Sequence, residues 1–448
     1  MMRSQKSIKG TVWKKGLAVA ACAALIGGVA GALNSGFSGG VTGMFNNSSF
    51  GGAIAGELFP VVFPTAYAFD DYDARHAVRE ANPIEEGFLT ALNEFIWKTT
   101  AEFFAGSEGN VNYSPLSLYY ALALAASGAE GQTAQELLAL LGVEDKETLS
   151  TQCGNLYRLM YTDNEIGKMK LANSLWLSKQ VDFNDSYVEN AAKNFYASSY
   201  HVDFADKKTG ELMGQWVANQ TNGTLKPEFS SSPQQMMAIL NTVYFKDEWT
   251  DRFSGDKTAE DTFYLADGST VECDFMNKVD SSAIFKKGEG FTSAELSLKN
   301  AGGVIFILPD EGVTPQELLA DADMAQKVFE GGERFAGKII WQIPKFDFGS
   351  SFKLVDGLKA LGVQEAFEAD ADFSKITDDM AFISDVRQET HIAIDEKGVE
   401  ASAYTVIEYC GAMLVTEEAH MILNRPFIYG IYCNQGTLLF VGICENPV

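Results

Sequence analysis

Residues 395–418 read DEKGVEASAYTVIEYCGAMLVTEE, and this stretch restricts the possible folds more than any other part of the chain. It carries Ala, Ser, Thr, Val and Ile as a buried strand would. Yet Gly398 stands at one end, Gly411 inside, and Glu417 and Glu418 at the other end. It contains no Pro and is much longer than an ordinary connection of about four to six residues. With a period of two, one face carries Val399, Ala401, Ala403, Thr405, Ile407, Tyr409 and Gly411. The other carries Glu400, Ser402, Tyr404, Val406, Glu408 and Cys410, so every charge between Val399 and Gly411 falls on that second face. An edge strand would show the same alternation. The small residues of the first half point instead to side chains that must pass into a packed sheet, with the uncharged face on the core.

The rest of the composition is that of a large globular protein: 448 residues, 46% hydrophobic, with 41 Gly and only 11 Pro. A core of this size fits one large domain or two ordinary ones. The formal charge is −26. Nucleic acid is not an expected partner, since phosphate binding requires a cationic surface. The N-terminus places Arg3, Lys6, Lys9, Lys14 and Lys15 before the apolar run GLAVAACAALIGGVAGAL. Ala-x-Ala sites at Ala30/Ala32 and Ala66/Ala68 then predict a signal peptide over 1–32, with a possible extension to 68. The run is also near the length of a membrane span, which leaves a membrane anchor open, and Cys22 ends a lipoprotein-like box. Residues 33–75, rich in Gly, Ser and Asn, read as a linker or extended signal, and 76–448 as a single domain. A secreted or cell-surface location is expected. Beyond residue 68 the cysteines Cys153, Cys273, Cys410, Cys433 and Cys444 are scattered and odd in number, which predicts free or buried thiols rather than a disulfide framework.

Periodicity predicts a helix over EEGFLTALNEFIWKTTAEFF, and a second opened by Ser114-Pro115 and stopped by Gly128. A third carries a capping box from Thr133 to Glu136 and ends at Gly142. KLANSLWLS, MMAILNTVYF, GGVIFILPD and KIIWQIPKFDF read as strands, and the apolar run of MMAILNTVYF predicts burial on both faces. FKLVDGLKALGV is a short helix closed by Gly362, and the C-terminus is a hairpin turned at Asn434–Gly436. Helices come early and strands late, which is the α+β class.

The residues of an enzyme are not assembled anywhere. The four histidines, His76, His201, His391 and His420, show no metal-ligand spacing, and Gly288-Glu289-Gly290 lacks the third glycine of a dinucleotide fingerprint. Gly36-Phe37-Ser38-Gly39-Gly40 matches a nucleophile-elbow pattern but lies in the linker rather than at a strand–turn–helix junction. No enzyme activity, metal or cofactor is expected.

In sequence order, NVNYSPLSLYYALALAASGAEGQTAQELLALLG, WVANQTNGTLKPEF, LNTVYFKDEWTDRF, PKFDFGSSFKLVDGLKALGVQEAF with ADFSKI, IDEKGVEASAYT and NRPFIYGIYCNQGTLLFVGICENP resemble the serpins, a family of serine-protease inhibitors. The likeness covers nearly everything from about Glu85 to Val448 and suggests an exported, prokaryotic-type member. It implies a single α+β domain with several helices, three β-sheets and an exposed reactive loop. It further implies a monomer that a serine protease cuts in that loop. The loop then inserts as a new strand in the large sheet, and the acyl-enzyme is distorted before it can be hydrolysed. Inserting about a dozen residues would release on the order of ten to twenty kcal/mol from apolar burial and ladder hydrogen bonds. The uninserted form is therefore expected to be kinetically trapped.

The same resemblance assigns residues. Ser114 and Asn241 match the shutter where the sheet parts, and Trp249 matches the breach at its top. Gly398, Val399, Glu400, Ala401, Ser402 and Ala403 match the hinge, with Val399 where the family usually has Thr or Ser and Tyr404 where a small residue is usual. Gln388 stands where the shutter histidine is expected, with His391 nearby. Counting from Glu396 places the reactive bond at Ala412-Met413, whereas counting back from Pro426-Phe427 gives Val415. Gly411, Ala412, Met413 and Val415 are all small or apolar, which favours elastase- or subtilisin-like partners over trypsin-like ones. A non-inhibitory serpin acting as a binding or structural protein is the alternative.

Overall fold

Two hydrogen-bonded sheets carry the architecture among the described residues, which in this computed structural model are 61, 63–300, 302–399 and 417–448. The expectations placed on residues 1–60 and 400–416, including the signal segment, Cys22, Cys410 and most of the loop, lie outside them. The first sheet contains β2 (Thr162–Asp163), β3 (Lys168–Ser178), β4 (Ala197–Val202), β5 (Met237–Glu248), β11 (Phe346–Lys353), β12 (Arg387–Ile394) and β13 (Gly398–Val399). Its order is β11-β12-β13-β5-β3-β2, with β4 also on β3. The second contains β1 (Val111–Tyr113), β6 (Ala259–Tyr264), β7 (Thr270–Gly288), β8 (Phe291–Ser297), β9 (Gly303–Pro309) and β10 (Glu333–Pro344). It is completed by β14 (Glu417–Ile422), β15 (Phe427–Tyr432) and β16 (Leu438–Cys444). Here the order is β1-β16-β15-β9-β8-β7-β10-β14, with β6 on β7.

The α+β class is as read. The third sheet is not separate, because the 19-residue β7 pairs with β10 along most of its length, with β6 at its start and with β8 at its end, so one strand belongs to both halves. KIIWQIPKFDF, read as one segment, divides at Lys345 into β10 and β11, which belong to different sheets. The Lys345 amide leaves both ladders to donate to the Asp274 carbonyl at 2.8 Å.

The helix Pro115–Gly128 is the structural axis. Ser114 caps it, its Oγ accepting from the Ser117 amide, and Pro115 stands where no intrahelical N–H is required. It is apolar all round and buried along nearly its whole length, as a helix enclosed on every side must be. The continuously apolar β9, β15 and β16 are buried throughout apart from the half-buried Tyr432 at the end of β15. Gly442 is required there, since a Cβ would lie 2.1 Å from the Tyr429 ring.

Two local readings are corrected. Thr133 and Glu136 do not form a capping box. The helix starts earlier, at Gly131, leaving Thr133 fully buried. Its hydroxyl donates to Glu365 and accepts from the Asp372 amide, while Glu136 accepts the amides of Gln364 and Glu365. Both side chains therefore hold a distant loop rather than their own helix end. The first half of β5 is half-buried, not buried on both faces, because its neighbour on one side, β13, spans only two residues. The helix Tyr72–Ala81 crosses the expected linker boundary at 75/76. Cys153, Cys433 and Cys444 are buried and free, and Cys273 is half-buried and free. No helix among the described residues is long and apolar enough to cross a membrane.

Gly142 closes the helix Gly131–Leu141 with a φ of 71°, and a Cβ there would meet the Ala91 Cβ at 2.8 Å. Gly142→Ala combines a left-handed backbone with an overlap. It is expected to lower the unfolding free energy by about 1–3 kcal/mol in a urea titration.

Candidate functional site: a parted sheet and its hinge

Along β5 and β12 the ladder is interrupted. The two strands are joined only through β13: Val399 pairs with Ile394 of β12 and Asp247 of β5, and Gly398 pairs with Glu248. Below Val399, β5 and β12 are not paired with each other, and no described strand lies between them. Val243, Phe245, Ile392 and Val399 line one pocket here, together with Ile431 and Phe440 of the second sheet. The inner face of β12 is buried at Gln388, Thr390, Ile392 and Ile394, while Arg387 and Glu389 face outward.

The hinge is held by backbone and side-chain bonds to the turn before it. Asp395 donates its amide to the Gly398 carbonyl, and its Oδ1 accepts the amides of Lys397 and Gly398 at 2.8 and 3.2 Å. Trp249, 1% exposed, donates its indole N–H to the Asp395 carbonyl at 2.9 Å and its amide to the Lys397 carbonyl. Glu396 accepts from the Thr258 hydroxyl at 2.8 Å and pairs with Lys345 at 3.2 Å. Partial burial pushes the Glu396 carboxyl up, but hydrogen bonds from its own amide, Thr258 and Lys345 outweigh this and hold it below the usual range. Gly398 is obligatory, because a Cβ would lie 1.9 Å from the Asp247 carbonyl oxygen.

Midway down the interruption, both bordering strands are tied to one helix N-terminus. Gln388 of β12 accepts the Ser114 amide and donates to the Ser114 carbonyl, both at 2.8 Å. The Ser114 hydroxyl donates to the Leu439 carbonyl at 2.7 Å. Across the gap, Asn241 of β5 accepts from the Ser117 hydroxyl and donates to Asn173 of β3 at 2.6 Å. Thr390 adds a bond from its hydroxyl to the Asn112 carbonyl at 2.6 Å.

The interrupted segment starts in one sheet and ends in the other. After residue 416 the chain enters β14, which runs parallel to β10 with Glu417 opposite Gly337 and Ile422 opposite Gln342. Lys338 pairs with Glu418 at 3.2 Å, and Lys287 lies 4.0 Å from Glu417.

The protein-family model Serpin (serine protease inhibitor) matches residues 90–447. This chain belongs to the serpin family. An uncharacterized serpin-like protein of Thermococcus kodakarensis is 31% identical over 376 residues, covering 81% of this chain and 86% of that protein. Among solved structures, the thermophilic serpin tengpin in its native state superposes with a TM-score of 0.70 at 26% identity, covering 81% of this chain and 95% of that one. Serpin48 of the insect Tenebrio molitor, described as a highly specific serpin, gives a TM-score of 0.69 at 25% identity and covers 81% and 98% of the two chains. Serpins are typically protease inhibitors rather than enzymes.

Of the residues assigned from the serpin resemblance, five lie among the described ones. Ser114 caps the helix behind the interruption and is bonded to Gln388 of β12, Asn241 lies on β5 across the gap, Trp249 clamps the turn at Asp395–Lys397, and Gly398 and Val399 pair at the upper end of the gap. Glu400, Ala401, Ser402, Ala403, Ala412 and Met413 lie outside the described residues. Sequence reading left Gln388 unassigned and missed Ser117, Asn173, Asp247 and Asp395. The Asp395-x-x-Gly398 spacing was a legible turn signal. The partners of Gln388 were not legible, since they lie 274 residues away. Replacing Gln388 by Leu keeps the volume but leaves the Ser114 amide unpaired in the core and its carbonyl with the Leu118 amide alone. A loss of about 2–3 kcal/mol in unfolding free energy is expected from denaturant titration.

Proposed function

We propose that this serpin inhibits serine proteases as a suicide substrate, trapping the acyl-enzyme when the cleaved loop enters the first sheet between β5 and β12. The observation that carries this reading is Val399, 3% exposed and paired on both sides at the mouth of an otherwise unbridged stretch of sheet. Continuing the same register down the sheet would bring Ala401 opposite Phe245 and Ile392. Ala403 would then meet Val243 and Thr390, and Thr405 would meet Asn241 and Gln388. Each is the small or uncharged member of the two-residue period, and the positions that receive it on β12 are buried. Glu400 would fall on the outer face, level with the exposed Lys246. The target class we infer is elastase- or subtilisin-like, from Gly411, Ala412, Met413 and Val415. The basic and apolar N-terminal segment supports secretion or display at the cell surface, with release after residue 32 or near 69.

Mixing the protein with pancreatic elastase and running a denaturing gel tests the reading, with a covalent complex as the expected product. Mass spectrometry of the released peptide should place the cut within Gly411–Val415, after Ala412 by preference. Inhibition of trypsin alone, with cleavage elsewhere, would show the loop register to be wrong.

Insertion competes with deacylation, so about 1.4 kcal/mol on the insertion barrier slows it tenfold. An Arg at 401 would carry an unpaired ion into the core, at a cost of several kcal/mol. Ala401→Arg should therefore be cut at the same bond but release active protease, while Glu400→Arg should still trap it. Equal ratios of covalent complex to cleaved protein for the two variants would sink the two-face assignment.

A further inference from the structure

Four aromatic rings stand in a row at the corner where the helix Lys146–Met160 leads into β2. Tyr196 lies 4.7 Å from Tyr157, Tyr157 lies 5.9 Å from Tyr161, and Tyr161 lies 6.4 Å from Phe63, whose ring is inclined to it by only 16°. Tyr157 is fully buried and Tyr161 is 7% exposed, while Phe63, the outer member, is 39% exposed. Two residues before Phe63, Val61 is half-buried against the same core.

From there the chain runs to the helix Tyr72–Ala81, whose ten residues are too few to hold a helix alone in water. Its ends are fastened. The Ala68 carbonyl accepts the Asp71 amide at 3.1 Å, Asp71 caps the helix by accepting the Ala74 amide at 2.9 Å, and Arg75 donates to the Phe69 carbonyl at 2.9 Å. At the other end the buried Asn82 donates to the Val78 carbonyl at 2.8 Å and accepts from Arg158. Arg158 also donates to the Tyr196 hydroxyl at 3.1 Å. The segment from Val61 to Asn82 is therefore tied to both ends of the row of rings.

We infer that this segment is a strap of the folded protein, so that the exported chain is released upstream of Val61 and the Ala66/Ala68 sequence is not a processing site. The inference deepens the export reading above and rests on it. A cut after Ala68 would remove Val61 and Phe63 and bare the outer face of Tyr161. It would also take away the acceptor of the Asp71 amide. The new ammonium, on Phe69, would stand two residues before the helix cap, where the helix dipole disfavours positive charge. A signal segment is discarded and has no partners in the mature fold. This one has partners at both ends.

The spacing of the two Ala-x-Ala sites points the same way. Ala30/Ala32 closes the apolar run, as a signal-peptidase site does. Ala68 stands 36 residues beyond Ala32, far outside the roughly 15–30 residues that a signal peptide spans. Ala66 and Ala68 are exposed side chains on the surface of the strap.

Paired substitutions in the full-length chain separate the two sites. Ala66→Leu with Ala68→Leu should leave release and the mature N-terminus unchanged. Ala30→Leu with Ala32→Leu should abolish the form that begins near residue 33, with no form beginning at 69 in its place. N-terminal sequencing of the released wild type should find a start before Val61, and a start at Phe69 overturns the proposal. The contacts are read separately in the same mature protein. Phe63→Ala should lower the thermal unfolding midpoint by about 2 °C or more, whereas Thr65→Ala, exposed beside it, should not move it. An unshifted midpoint for Phe63→Ala overturns the strap. A chain found only inside the cell and intact from Met1 removes the export reading, and the Phe63 comparison then still decides the strap.

Discussion

The N-terminus of one buried helix holds apart, and holds in place, the two strands on which the whole arrangement turns. Ser114 fastens β12 through Gln388, and Ser117 fastens β5 through Asn241. Both ties are between neutral groups. Breaking a buried ion pair by separating its partners would cost about 3–5 kcal/mol, whereas each of these hydrogen bonds is worth about 0.5–1.5 kcal/mol net if its groups find new partners. The centre of the sheet is thus held by several modest neutral bonds rather than by one strong charged one.

The two ties are not equivalent. On the β12 side Gln388 makes two bonds to Ser114, Thr390 bonds the Asn112 carbonyl, and the Asn112 amide bonds Ser350 of β11. Since β1 is paired with β16, this half is bound into the second sheet. On the β5 side the mid-height link to the helix is Asn241 with Ser117, and Asn241 is otherwise directed to Asn173 within its own sheet. Away from mid-height, β5 meets the second sheet at its upper end, where the Lys299 amide donates to the Glu248 carbonyl and Trp249 bridges Leu298.

Much of this was readable in advance, and the unreadable parts share a cause. Helix limits at Ser114-Pro115 and Gly142, the hairpin at Asn434–Gly436 and the inward assignment of Val399 all rest on local rules of capping, turn chemistry or period two, and each holds. The Thr133–Glu136 capping box failed, although the local pattern was right, because both side chains found better partners in the loop at 364–372. The burial of β5 was misjudged because it depends on how far a neighbouring strand extends, which no property of MMAILNTVYF records. Gln388 was visible as a departure, but its function is set by a backbone that only the fold brings to it. Local rules thus gave the elements and faces, and long-range polar partners gave the latch.

One residue stands against the neutrality of the inner faces that border the interruption. On β12 the inward positions are Gln388, Thr390, Ile392 and Ile394, and on β5 they run Asn241, Val243 and Phe245 before reaching Asp247. Asp247 lies level with Val399, which is already paired, so the inward positions of β5 and β12 below it are all neutral. The one buried acid on these faces therefore sits beside the paired end of the sheet and not within the stretch that no described strand bridges.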